Sequence, residues 1–271
     1  MKRISAKVMT IIIISSLFFC VLVGTVCTFQ STRLLHTETN EKLIHMAKQY
    51  ANECSKTFEH IEGTVESLSS NVFVTFDAAK FNQDPKGYIG EYKSFIDPII
   101  KEIGETTEGV LGIYLTFNPD LTGEAHEIWY ASQEGSQEFI QVEEDENYIE
   151  EFYPENEDMR WYYDAIQKKE GNWDDPGVDE ALGISSVSYT KAIFQGELLI
   201  GVVGIDISID EITNWIENMQ IYDTGYAMLF NENYDILIHP KYTDQNLETL
   251  EDGRFKFIAE QMRKEEFATN S

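Results

Sequence analysis

A chain of 271 residues that is 42% hydrophobic and 13% aromatic has material for a substantial core and room for one large or two modest domains. Its 48 acidic residues against 20 basic ones give a net charge of −28, which repels phosphate backbones and argues against a nucleic-acid partner. Three cysteines, two of them inside an apolar run, build neither a disulfide framework nor a paired metal site. With no phosphate-binding loop, nucleophile elbow or HExxH motif either, the chain is not expected to be an enzyme or to hold a cofactor.

Residues 8–29 form an uncharged apolar run, long enough to span roughly 30 Å of hydrocarbon as a helix. Lys2, Arg3 and Lys7 precede it, which predicts a cytoplasmic N-terminus and an extracytoplasmic location for everything after residue 30. A cleaved signal peptide is the alternative, but the run is longer than a usual signal core and no small-x-small site closes it.

Over residues 41–72 the apolar positions Cys54, Phe58, Ile61, Val65, Leu68 and Val72 recur at heptad spacing, which predicts one long amphipathic helix. Its stripe needs a cover, either the domain that follows or a second copy, and the membrane-proximal half is expected to pair between chains as a homodimer. His45 and His60 are too far apart in sequence to be a ligand pair and read as surface or rim residues. A second helix is expected over 88–103, interrupted near Pro98. Residues 109–117 alternate as a strand, 127–131 form its hairpin partner, and the acidic segment 133–150 reads as a loop over the sheet edge.

The stretch 158–206 carries the chemistry. A short helix over 157–169 places Trp161 and Ala165 on one face, with Tyr162 about 100° away and Gly171 as its stop. A turn-rich connection follows at 173–179. Strands at 184–194 and 198–207 then form a hairpin whose second arm carries Asp206 near its end. A cationic fork, several aromatic faces and one carboxylate are what a pocket for a small polar or zwitterionic molecule requires; they do not make a nucleophile. Beyond this, 224–240 reads as strand, turn and strand with a His-Pro ending, and 254–267 as a helix.

The run RWYYDAI…GNWDDPGVD…ISSVSYTKAIF…GELLIGVVGIDISID resembles the membrane-distal module of double Cache domains, the extracytoplasmic sensor regions of bacterial chemoreceptors and related proteins. The segment TGYAMLFNENYDILIHP resembles the start of the membrane-proximal module. In the amino-acid-sensing members of that family an Arg two places before a Trp-Tyr pair holds the ligand carboxylate, and two further Tyr and a late Asp complete the site, the Asp holding the ammonium. By position Trp161, Tyr162 and Asp206 match. The Arg position falls on Met159 with Arg160 one place later, one Tyr falls on Pro154 beside Tyr153, and the other falls on Gly177.

The resemblance implies an α+β chain: an N-terminal transmembrane helix, a long amphipathic helix, then PAS-like antiparallel-sheet modules, the distal one complete and the proximal one partial. The expected divisions are 1–30, 31–215 and 216–271. The expected ligand-binding residues are Tyr153, Arg160, Trp161, Tyr162 and Asp206, with a small molecule as partner (an amino acid, amine or organic acid) and no metal. The family's proximal module needs further strands and a second span, so the sequence is expected to be either a fragment or a truncated product, with chemoreceptor, histidine-kinase or diguanylate-cyclase output left open. The rival expectation is an interaction ectodomain with a degenerate pocket.

Overall fold

The computed structural model describes residues 2–132, 138–142, 148–174, 176–179, 184–219, 221–222, 225–231 and 233–269. Two compact units divide at Cys54 and Ser55. A helix α1, Lys2–Thr75, contributes its residues up to Cys54 to the first unit and those from Ser55 to the second. The apolar run and the amphipathic stripe are thus one uninterrupted helix, longer than the 41–72 the periodicity marks. An 18-residue window within it has a mean hydropathy of 2.0, enough by length and composition to cross a membrane.

The second unit continues with α2 (Ala78–Phe81) and α3 (Pro85–Thr106). The N-terminus of α3 is set by Asp84, whose carboxylate accepts from the Gly87 N–H at 3.1 Å, and by Pro85 in the first turn. The helix does not break at Pro98. That residue lies on the solvent side, while Ile96 and Ile100 to either side of it are fully buried, so packing carries the chain through. Then come strands β1 (Gly112–Phe117), β2 (Glu127–Ser132) and β3 (Phe139–Gln141), helix α4 (Arg160–Lys168), and strands β4 (Asn172–Trp173), β5 (Gly177–Asp179), β6 (Ile184–Gln195) and β7 (Leu198–Ser208). Helix α5 (Ile209–Glu217), strands β8 (Leu229–Phe230) and β9 (Ile236–Ile238), and helices α6 (Leu250–Gly253) and α7 (Lys256–Thr269) complete the chain.

The central sheet is antiparallel, in the order β3-β2-β1-β7-β6-β4, with β5 also on β6. Part of the segment read as an edge loop is therefore a strand, β3, held by pairing with Tyr130, Ala131 and Ser132. The connection read as turns supplies β4 and β5. Helix α4 ends at Lys169, not Gly171: Lys169 adopts φ 58° and its N–H returns to the Ala165 carbonyl, closing the helix with a left-handed residue that is not glycine.

Every residue of β1 is buried, as are the last nine of β7. Their alternation therefore sorts residues between two covered faces and not between core and water. On one face Ile113, Leu115, Phe117, Ile128, Val203 and Ile205 join Ile61, Val65, Leu68 and Val72 of α1 and Ile89, Ile96 and Ile100 of α3 in one core. The helix stripe is thus covered from Ile61 to Val72 by the helix's own domain. On the other face Met159, which precedes α4, and Tyr162 and Ala165 of α4 pack with Ala192 and Val202. A third cluster, Tyr234, Ile236, Leu247, Leu250 and Ala259, holds the C-terminal segment together.

Candidate functional site

The strand register lays the α4-side face out in rows. One row runs Ser188, Asp206, Gly112 and Ala131, and the backbone N–H of Asp174 bonds the Ser188 carbonyl beyond it. The next runs Asn172, Thr190, Gly204, Tyr114 and Trp129. In a third, Ala192, Val202, Thr116 and Glu127 follow in order. Because residues directly opposite each other project to the same side, these rows form one surface, polar at the Asp206 end and apolar under α4.

Asp206 is 6% exposed, two places before the end of β7. Its Oδ1 accepts from the Ser188 hydroxyl at 2.6 Å. Its Oδ2 leans over Gly112, 2.6 Å from where a Cβ on that residue would stand, and the Trp129 Nε1 lies 3.3 Å from the same point. Tyr114 crosses bare Gly204, whose absent Cβ would meet the phenol ring and hydroxyl at 2.4 Å. Glycine at 112 and 204 thus leaves the floor flat enough for a carboxylate and a phenol to lie across it. Burial drives the Tyr114 phenol well above its ordinary pKa, and Asp206, Asp174 and Glu127 push it further, against a lowering hydrogen bond from Ser188. The hydroxyl therefore stays protonated, next to three acids. Trp161 of α4 meets the Tyr114 ring edge-on at 5.1 Å and closes the aromatic side.

Of the residues expected from sequence, Asp206 and Trp161 come together here. Tyr162 does not belong with them: it is 2% exposed inside the apolar cluster, edge-on to Phe152 at 5.1 Å, and its phenol is raised by burial and then by Tyr163 and Asp120, not by Asp206. Arg160 is exposed at the start of α4, and Met159, at the position where the resemblance places arginine, is 2% exposed against Tyr162. Tyr153 is 49% exposed. Gly177 lies in β5, paired with Ser186. Sequence reasoning missed Tyr114, Trp129, Asp174 and Ser188. The alternation GIYLTF and EIWYA holds the signal for the first two, but only the β1–β2–β7 register shows that they share a face with Asp206. Trp173 serves the opposite face, its indole N–H donating to Glu62 Oε1 at 2.8 Å and its ring meeting Phe58. No group of three or more His, Cys, Asp or Glu side chains is arranged to hold a metal ion among the described residues.

An antiparallel sheet lies between the long-helix face and the short helix α4, with the buried Asp206 carboxylate near the aromatic rings of Tyr114 and Trp129 on the α4 side. Residues 96–214 match the family described as the first PDC sensor domain of methyl-accepting chemotaxis protein-like receptors, and the resemblance to double Cache sensor domains holds. The chain is 28% identical over 81 residues to the methyl-accepting chemotaxis protein TlpB of Bacillus subtilis strain 168, a match covering 30% of this chain and 12% of that relative's length. Its fold is similar to that of "Methyl-accepting Chemotaxis protein X" (14% identity, 82% of each chain, TM-score 0.60). It is likewise similar to the ligand-binding domain of the Campylobacter jejuni chemoreceptor Tlp3 in complex with L-valine (17% identity, 82% of this chain and 76% of that one, TM-score 0.55). The extracellular domain of the histidine-kinase candidate mmHK1S-Z2 shares the fold as well (22% identity, 83% of each chain, TM-score 0.59). The matched family is one of sensor domains, not of enzymes.

Proposed function

We propose that this protein is a membrane-anchored extracytoplasmic sensor that binds a small polar ligand on the α4-side face of its sheet, for chemotaxis or a related signalling output. Asp206 carries the proposal. A carboxylate held at 6% exposure, near a phenol and an indole on the same face, suits an ammonium or guanidinium group by charge and by the aromatic faces around it. A neighbour of the same fold holds L-valine, a molecule with such a group. In this arrangement Asp206 grips the cation and Trp161, Tyr114 and Trp129 surround it. Arg160 and Tyr153, at the exposed rim, reach the ligand only if α4 and the turn before it close inward; Tyr162 holds α4 on the sheet.

The apolar part of α1 crosses the membrane with its N-terminus in the cytoplasm, by the placement of Lys2, Arg3 and Lys7. The receptor is a homodimer through the membrane-proximal part of that helix. Residues 31–215 form the distal sensing module and 216–271 open a second, proximal one, supported by the separate C-terminal cluster. The output it serves is chemoreceptor signalling, or that of a histidine kinase or diguanylate cyclase.

One observation favours a non-sensing ectodomain: a buried methionine, Met159, stands where the amino-acid sensors of the family have their arginine. A thermal-shift screen of the full chain in detergent against amino acids, amines and organic acids separates the two readings. A ligand at about 100 times its Kd stabilises the folded state by roughly 2.7 kcal/mol. Stabilisation by compounds bearing an ammonium group is expected. No shift with any class at millimolar concentration would establish the interaction ectodomain instead.

A further inference from the structure

The Trp129 indole N–H is a buried donor with no hydrogen-bond acceptor among the described residues. Trp129 sits in β2 opposite Tyr114, on the same face as Asp206, and the strand pairing makes no use of its indole N–H. The N–H and the Asp206 Oδ2 both lie over Gly112, 3.3 Å and 2.6 Å from the point a Cβ would occupy, so the bare glycine leaves room for these two groups themselves. A donor and an acceptor side by side over a residue with no side chain make a two-point recognition surface, one point for a cation and one for an acceptor.

We propose that Trp129 is a ligand-contacting residue that reads an uncharged acceptor beside the ammonium held by Asp206, so that the site takes amino alcohols and amino amides in preference to amino acids. This rests on the reading of Asp206 given above and narrows its ligand class. A carboxylate on the ligand would stand among Asp206, Asp174 and Glu127, the three acids that act on the Tyr114 hydroxyl. Like charges at close range disfavour each other, and an indole donates one neutral hydrogen bond where a guanidinium would supply a charge and a fork. The arginine that would neutralise a carboxylate is displaced: Met159 fills its place in the apolar cluster, and Arg160 is directed to the exposed side of α4. A hydroxyl or an amide carbonyl meets the indole N–H without adding negative charge.

The test is calorimetric titration of the full chain in detergent with four matched probes: ethanolamine, glycinamide, ethylamine and glycine. Ethanolamine and glycinamide should bind about tenfold tighter than ethylamine, with glycine weakest of the four. Trp129→Phe keeps the aromatic packing and should bring ethanolamine and glycinamide to the level of ethylamine, leaving ethylamine unchanged. Glycine binding as tightly as glycinamide in the native protein would overturn the proposal without recourse to any variant. A Trp129→Phe protein that weakens all four probes alike, or none of them, would overturn it too. If Asp206→Asn abolishes amine binding while the native ranking shows no preference for an acceptor, the Trp129 inference fails alone. If no probe binds the native chain at about 10 mM, the Asp206 reading falls with it.

Discussion

The two faces of the central sheet are made by the same strands and differ in what they do. In β1, Ile113, Leu115 and Phe117 face α1 and α3 and belong to a continuous apolar core, while Gly112, Tyr114 and Thr116 face α4 and carry glycine, a phenol and a hydroxyl. In β7, Val203, Ile205 and Ile207 lie on the first side and Gly204, Asp206 and Ser208 on the second. Stability is concentrated on one side. The other leaves buried polar atoms such as the Trp129 Nε1 and the Ser208 Oγ without partners among the described residues. In the proposed sensor the first side would serve as a rigid back and the second as the face that ligand completes.

The division can be broken first at its strongest point. Leu115→Ala, at a fully buried position of the apolar face, should cost about 2–5 kcal/mol in chemical denaturation and leave ligand affinity in the surviving folded protein unchanged. Gly112→Ala should do the reverse. Its Cβ would displace the Asp206 carboxylate and strain the bond from Ser188, lowering affinity for an amine by about tenfold or more in calorimetry while stability falls by only about 1 kcal/mol.

Tyr92 sharpens the comparison from the apolar side. Burial pushes its phenol up to about 12, against a lowering hydrogen bond from Thr75, where an ordinary phenol titrates near 10. A pKa raised on folding gives stability that is fully present below about pH 10 and lost as pH rises through about 12. Tyr92→Phe should flatten that alkaline loss in a denaturation series. At neutral pH it should cost about 1.5 kcal/mol for the bonds to the Thr75 hydroxyl and the Val72 carbonyl. The smallest effect is local. Asp84→Ala removes the N-cap of α3 and should lower stability by about 1 kcal/mol with no change in binding.

Much of the apolar side was legible in the sequence. The heptad stripe from Ile61 to Val72, the strands around Ile113 and Ile205, and the helix carrying Trp161 are written in hydrophobic periods that local geometry obeys. Pro98 misled because burial of Ile96 and Ile100 outweighs one lost backbone bond, and Lys169 because a left-handed helix end tolerated a residue other than glycine. The site was half legible. Asp206 and Trp161 lie in a motif of local order, and a motif places them. Tyr114 and Trp129 reach the Asp206 face through pairings of β1 and β2 with a strand far away in sequence, and Ser188 faces Asp206 through the register of the β6–β7 hairpin; no local pattern states which residues face each other across a sheet. Tyr162 follows Trp161 directly yet points elsewhere, because one step on a helix turns a side chain by about 100°.

The central claim is that Asp206 on the polar face holds the cationic group of a small ligand. Calorimetric titration of the native chain and of Asp206→Asn, with the tightest amine from the thermal-shift screen, tests it most directly. The substitution keeps size and an acceptor for Ser188, removes the charge and turns the second oxygen into an NH2 donor that cannot accept from an ammonium. Loss of about 2–5 kcal/mol of binding, with an unfolding transition close to that of the native protein, is the predicted result. Equal affinity in the two proteins would contradict it.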